Sequence, residues 1–127
     1  MTPTPFTFFD AAPPTGDLLV VVSAGIDDKS KLFEWYARAL AFPAHFGRNW
    51  DALRDCLSDL GWLAARHIVI AHDDLPLARH PREASAYLRV LHDALQRWRL
   101  ASGAAHTIDV AFPSAARALV LRHGAAR

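Results

Sequence analysis

Apolar runs alternate with amphipathic stretches along this chain, and the alternation predicts strands separated by helices. Residues 18–22 and 68–71 are continuous apolar runs between polar or turn-forming residues, a pattern typical of strands buried on both faces of a sheet. Residues 107–112 predict a third strand. Because helical stretches separate these runs, the strands are expected to pair in parallel, with right-handed crossovers.

Helix boundaries are predicted from capping residues. A first helix is expected at about 29–41, after the N-cap pair Asp27-Asp28. A second helix is expected to begin after Asn49, a good N-cap, and to end at Gly61, a good C′ residue.

A third, longer helix is expected to start at Pro81, since proline is tolerated at a first helical position. Residues 1–16 are rich in Pro and Thr and are expected to be irregular, a tail or a covering of a sheet edge. A short helix is expected in 113–127. The chain therefore predicts one α/β domain with a three-stranded parallel sheet and three or four helices.

The second predicted helix has two chemically different faces. Asp51, Asp55 and Asp59 are one turn apart and form an acidic stripe. The opposite face is apolar, with Trp50, Leu53, Leu57 and Leu60, and with Cys56 at its edge. Like charges at this spacing cost a helix roughly 0.2–0.5 kcal/mol per pair. The stripe is either a solvated polar face or a surface for a positively charged partner.

Composition limits the possible functions. The chain has 127 residues, 52% of them hydrophobic, which suits one globular domain. A net charge of +1 gives no overall field, so any electrostatic function must come from local charge segregation. A single cysteine excludes an internal disulfide. Without a recognisable signal peptide or a long apolar span, the chain is expected in the cytoplasm.

Metal, cofactor and catalytic sites are not expected. His67 and His72 flank the second strand on opposite faces, and no metal-ligand spacing is present. Cys56 with a histidine is a possible nucleophile pair, but its place toward the core favours an inert packing role. No glycine-rich phosphate loop follows a strand. Binding without catalysis is therefore the favoured class of function.

A nucleic-acid surface is the alternative that the basic residues suggest. Such a surface needs clustered basic side chains with exposed aromatic ones. The candidate basic positions are Arg89, Arg97, Arg99 and Arg122, although arginines on an outer helix face are commonly only solvated. Trp62, just past the second helix, is the tryptophan most expected to be partly exposed, whereas the other three are expected to pack in the core.

The loop before the second helix and the helix itself carry about a dozen residues at fixed spacing. They are Pro43, Phe46, Gly47, Asn49, Asp51, Ala52, Leu53, Asp55, Cys56, Leu57 and Trp62. This pattern resembles the barstar family of intracellular ribonuclease inhibitors, and the order of strands and helices fits that family too. The resemblance covers residues 17–112 and makes 1–16 and 113–127 additions.

The resemblance implies a partner and a mechanism. Members of that family plug the cationic active site of a ribonuclease with this loop and helix, and their carboxylates mimic phosphate. Asp55 is then the central phosphate mimic, and Asp51 is its neighbour one turn earlier. The full set of residues expected at the partner surface is His45, Gly47, Asn49, Asp51, Arg54, Asp55, Asp59, Trp62 and Asp93.

Three positions depart from the family pattern. Arg54 stands at a tryptophan position, His45 at a tyrosine position and Arg97 at an acidic position. These changes predict a ribonuclease other than barnase, for example a toxin, with an acidic residue facing Arg54 or Arg97. The alternative is a diverged interaction domain that kept the scaffold and binds a partner of another kind.

Overall fold

The protein is built on a parallel sheet with its helices and main core on one face. A computed structural model describes residues 4–101 and 103–125. Within these ranges the strands are β1 (Thr7–Phe9), β2 (Leu18–Val22), β3 (His67–His72) and β4 (Thr107–Pro113). The helices are α1 (Lys29–Ala39), α2 (Trp50–Asp59), α3 (Pro81–Leu100) and α4 (Arg117–Ala125). All pairings are parallel, in the order β1-β4-β3-β2, so the α/β class with a parallel sheet is confirmed.

The sheet has four strands in the described part of the chain, and the expected number of three was wrong. The additional strand, β1, lies inside the segment 1–16 that was expected to be irregular, and it pairs with β4. A strand of three residues is too short to show a periodic pattern in the sequence. Phe6 and Phe8 hold the segment against Phe112, with ring centroids 5.5 Å and 6.5 Å apart.

The connection from β1 to β2 runs over the sheet face opposite the helices. β1 and β2 lie at opposite edges, so residues 10–17 must cross β4 and β3. The segment passes so close that a Cβ atom added at Gly16 would lie 2.9 Å from the carbonyl oxygen of His67. Val69, Ala71 and Ala111 are completely buried on this second face. The extension therefore covers apolar surface that the sheet itself leaves open.

β2 is an edge strand, and the prediction that both its faces are buried was wrong. Leu19 and Val21 are each 40% exposed, whereas Val22 is fully buried. A continuous apolar run looks the same in a central strand and in an edge strand. Its place in the sheet depends on the path of the chain, which local pattern does not contain.

Side-chain caps set the starts of α1 and α2. Asp28 caps α1 by accepting hydrogen bonds from the backbone of Ser30 at 2.6 Å and of Lys31 at 3.3 Å. Asn49 caps α2 by accepting from Ala52 N at 2.8 Å. α3 begins at Pro81, as predicted.

α4 packs on α3. Val120 of α4 is buried, and the Ser85 hydroxyl of α3 donates a 3.0 Å hydrogen bond to the His123 carbonyl. α4 lies in the segment where the sequence predicts a short helix. None of the helices in the described ranges is both long and apolar enough to cross a membrane.

Candidate partner-binding surface

α2 separates an apolar face from a charged one, as its spacing predicts. Leu53, Leu57 and Leu60 are buried in the main core, and Trp50 packs edge-on against Phe33 at 5.0 Å. The carboxylates of Asp51, Asp55 and Asp59 lie on the exposed side. Burial of the apolar face fixes the rotation of the helix, and that rotation presents the carboxylates to solvent.

Arg54 connects α2 to α3 through two carboxylates. Its Nη2 lies 2.7 Å from Asp51 Oδ1, and its Nη1 lies 3.3 Å from Asp93 Oδ2. The Arg54 side chain is 29% exposed, compared with 84% for Asp51 and 39% for Asp93. The sequence analysis predicts that Arg54 faces an acidic residue of another protein. In the free protein, Arg54 instead forms ion pairs with two carboxylates of its own chain.

Asp55 and Asp59 differ from Asp51 in this respect. Neither forms an ion pair in the part of the chain that the structure describes, and both are exposed. Asp59 Oδ1 accepts one hydrogen bond, from Gly61 N at 3.1 Å. We use the name acidic surface for Asp51, Asp55 and Asp59 of α2 together with Asp93 of α3.

Cys56 lies between these two free carboxylates on α2. Burial, followed by the negative charges of Asp55 and Asp59, raises the pKa of the Cys56 thiol. A raised pKa keeps the sulfur protonated at neutral pH, and the thiol is a poor nucleophile. Among the described residues, no three His, Cys, Asp or Glu side chains are arranged to hold a metal ion.

Arg48 and Asn49 make the side-chain contacts of the loop before α2. Arg48 adopts a left-handed backbone with φ of 53°, and its guanidinium lies 3.1 Å from Glu34 of α1. Asn49 Nδ2 donates a long 3.4 Å bond to the Gly47 carbonyl. His45 is exposed at the start of this loop. Sequence reasoning missed Arg48, because its ion-pair partner Glu34 lies 14 positions away on another helix.

Trp62 forms a hydrogen bond through its indole nitrogen and remains partly exposed to solvent. Its Nε1 donates a 2.8 Å hydrogen bond to the Leu40 carbonyl at the end of α1, and the side chain remains 37% exposed. The predicted partial exposure of Trp62 is therefore confirmed. The other tryptophans are less exposed and pack against the core.

The carboxyl end of α2 is held by side chains from distant parts of the chain. Trp98 Nε1 donates to the Leu57 carbonyl at 2.7 Å. The ring nitrogens of buried His106 lie 2.8 Å from the Leu60 carbonyl and 2.6 Å from that of Ala65. The indole N–H of Trp98 thereby satisfies a carbonyl that a helix end otherwise leaves unpaired. No sequence signal identifies His106, because its contacts are more than forty positions away.

The end of α2 also differs from the expected cap. Leu60, not Gly61, takes the left-handed conformation, with φ of 51°. The strain is tolerated because Leu60 is fully buried and its N–H donates to the Cys56 carbonyl at 3.1 Å.

The remaining sequence candidates are distributed elsewhere. His67 Nε2 lies 2.6 Å from Asp109 Oδ2 on one sheet face, whereas His72 is buried on the other, as the strand period predicts. The four arginines considered for nucleic acid are exposed on α3 and α4: Arg89, Arg97, Arg99 and Arg122. Trp62 is the exposed aromatic side chain among the described residues, and it follows α2. It is therefore not on the helices that carry these arginines.

The sequence matches the model of a known protein family. The family model described as Barstar (barnase inhibitor) matches residues 17–112. The chain belongs to the Barstar family. The matched range contains β2, β3, α1, α2, α3 and all of β4 except Pro113, and with them the whole acidic surface. β1 and α4 lie outside it. No curated protein sequence matches the chain.

Membership of the Barstar family changes how the acidic surface is interpreted. On its own, a charged helix face is most simply a solvated face. In a family of inhibitors, the same face on the motif-bearing helix is a candidate for protein recognition. The family assignment favours binding over catalysis.

Proposed function

We propose that this protein inhibits a cognate ribonuclease by inserting the acidic surface and the preceding loop into the active site of the enzyme. The observation that carries the proposal is the exposed carboxylate stripe on α2 of a Barstar family domain. An enzyme that cleaves RNA must hold phosphate, and it does so with cationic side chains. Carboxylates at phosphate positions form short, charge-assisted hydrogen bonds with such groups.

Asp55 is the proposed central contact. It is exposed at the middle of α2, with Asp51 one turn before it and Asp59 one turn after it. Its carboxylate is not engaged in an ion pair with the described part of the chain, so a partner's cation meets no internal competitor there. The residues proposed to surround it are His45, Gly47, Asn49, Arg54, Trp62 and Asp93.

The second candidate is an interaction domain for a partner that is not a ribonuclease. The ion pairs of Arg54 favour it, because they remove negative charge from the surface on which a cationic active site would dock. Both candidates use the same surface. They differ in whether the partner cleaves RNA and whether the complex stops cleavage.

The decisive experiment combines capture with an activity assay. The protein is used as bait in a lysate of its own cells, captured proteins are identified by mass spectrometry, and each is purified and assayed for RNA cleavage. Inhibition at one-to-one stoichiometry by wild type, but not by Asp55→Ala, is the result that supports inhibition. Asp10→Ala is the matched control, since Asp10 is an exposed aspartate outside the acidic surface.

Two outcomes count against the proposal. A captured ribonuclease that remains fully active in the complex excludes active-site occlusion. A captured partner without nuclease activity, bound through Asp55, assigns the domain to the second candidate.

A further inference from the structure

The guanidinium of Arg54 is an internal cation bound by the acidic surface. One nitrogen faces Asp51 of α2 at 2.7 Å, and another faces Asp93 of α3 at 3.3 Å. Using different nitrogens for different carboxylates, the planar group spans the gap between the two helices. The site between Asp51 and Asp93 thus already holds the kind of group that a cationic partner would offer.

This contact divides the acidic surface into two parts. Asp51 and Asp93 share the positive charge of Arg54, so their combined charge with it is about one negative unit. Asp55 and Asp59 have no such counterion within the described ranges, and they retain two negative charges on the following turns of α2. The unpaired charge is therefore concentrated in the carboxyl-terminal half of the helix.

We propose that Arg54 is a specificity-determining residue that withholds Asp51 and Asp93 from a partner and directs cationic groups to Asp55 and Asp59. This inference rests on the proposed function of the surface as a protein-binding site. It identifies the partner chemistry as guanidinium or ammonium groups positioned over the carboxyl-terminal half of α2.

Displacement of Arg54 by a partner is disfavoured by its attachment. A side chain on the same helix is present at a high effective concentration, whereas a partner's arginine must be brought in. The Arg54 side chain is also less exposed than either carboxylate, so it loses little freedom in the paired state. A partner gains more from carboxylates that have no internal counterion.

The test uses a nona-arginine peptide as a defined guanidinium probe at low ionic strength, where surface charge is least screened. Wild type is compared with Arg54→Gln, which keeps most of the side-chain length and removes the charge. The matched control is Arg38→Gln. Arg38 is another ion-paired surface arginine, 3.0 Å from Glu34 on α1, and its removal changes the net charge equally.

Binding is measured by fluorescence anisotropy and mapped by amide chemical-shift perturbation. In wild type, the shifts are expected around Asp55 and Asp59. In Arg54→Gln they should extend to Asp51 and Asp93, and the peptide should bind about threefold to tenfold tighter, as expected when weak surface ion pairs no longer compete. Arg38→Gln should change binding less than about twofold, because it frees no carboxylate on α2.

A second pair of variants keeps the test independent of Arg54→Gln folding. In the wild-type background, Asp55→Asn should weaken peptide binding more than Asp51→Asn, although both remove one charge. Equal effects of these two variants would overturn the proposal. Wild-type shifts centred on Asp51 and Asp93, or equal affinities of Arg54→Gln and Arg38→Gln, would also overturn it.

Failure of this inference is distinguishable from failure of the proposed function. The RNA-cleavage assay decides whether the partner is an inhibited ribonuclease, and the peptide map decides which carboxylates accept a cation. Loss of inhibition by Asp55→Ala with a peptide map spread evenly over the acidic surface removes the role of Arg54 alone.

Discussion

The Tyr87 hydroxyl lies 2.7 Å from Nε2 of His72 in the centre of the core. Nδ1 of the same ring lies 2.9 Å from the Ala111 carbonyl, which only accepts, so Nδ1 carries the proton and Nε2 accepts from Tyr87. The Tyr36 hydroxyl, 2.6 Å from that of Tyr87, completes the chain as a donor. The three side chains join α1, α3 and β3, and all are fully buried.

The buried His72 ring should make stability fall as pH falls. Burial lowers the pKa of His72 to about 3, whereas an unfolded histidine titrates near 6.5. Between these values only the unfolded chain takes up the proton. The free energy of unfolding is therefore unaffected by the titration of His72 above about pH 6.5. Below that value it falls as the pH falls toward 3, at up to about 1.4 kcal/mol per pH unit. Urea denaturation at several pH values between 4.5 and 7.5, in steps of about one unit, measures the slope.

His72→Gln serves as the control for this slope, because it removes the buried ring and leaves every other titratable group in place. It should be less stable at pH 7 than wild type and should lose stability less steeply on acidification. Identical slopes in the two proteins would show that His72 does not carry the effect.

Removal of the Tyr87 hydroxyl should lower the free energy of unfolding more than removal of the Tyr36 hydroxyl. Tyr87→Phe leaves Nε2 of His72 and the Tyr36 hydroxyl without their partner, whereas Tyr36→Phe removes only the outer donor. A buried polar group left unsatisfied costs about 1–3 kcal/mol. Tyr87→Phe should therefore be the less stable variant in thermal and urea unfolding. The reverse order would contradict the central place of the Tyr87 hydroxyl between Tyr36 and His72.

Asp55→Ala should abolish partner binding without unfolding the protein. Asp55 is exposed, and loss of a like charge beside Asp51 and Asp59 should change helix stability by only a few tenths of a kcal/mol. Truncation of one partner of a buried charge pair at an interface costs about 2–5 kcal/mol. Surface-immobilised binding kinetics should show the loss mainly as faster dissociation, with the association rate kept within about tenfold.

Leu53→Ala is the matched variant on the same helix. Leu53 is fully buried, and a leucine-to-alanine change at such a site costs about 2–5 kcal/mol of unfolding free energy. Thermal melting should therefore separate the two positions. Unchanged melting and unchanged affinity in Asp55→Ala would show that α2 is not the binding site.

Barnase itself should bind weakly or not at all. Arg54 neutralises part of the acidic surface, and Arg97 adds an exposed positive charge on α3, at a position where the resemblance to the family implies an acid. Juxtaposed like charges at an interface are strongly unfavourable. Isothermal titration calorimetry with purified barnase checks this expectation. Nanomolar affinity would show that the specificity has not diverged.

Local features of the fold and of the site were predictable because their causes are local. Asp28 and Asn49 cap helices with their own side chains. Leu53 and Leu57 are spaced along one face of α2, and their burial leaves the aspartates of the opposite face exposed. The exposure of Asp55 was predictable from the helical spacing, whereas its role as the central contact stays a proposal. The parallel pairing followed from the alternation of strands and helices.

Other features were decided by contacts between residues far apart in the chain. β1 exists because the edge of β4 accepts it, and Leu60 adopts a left-handed backbone because burial and hydrogen bonds around it offset the strain. The sequence shows that Arg54 is charged. It does not predict that Arg54 pairs with Asp93, because the two residues are 39 positions apart. The sequence by itself determined which side chains face outward from α2. Only the packing of α2 against α3 decided which of those charges remain unpaired, because an ion pair depends on distances that helical spacing does not contain.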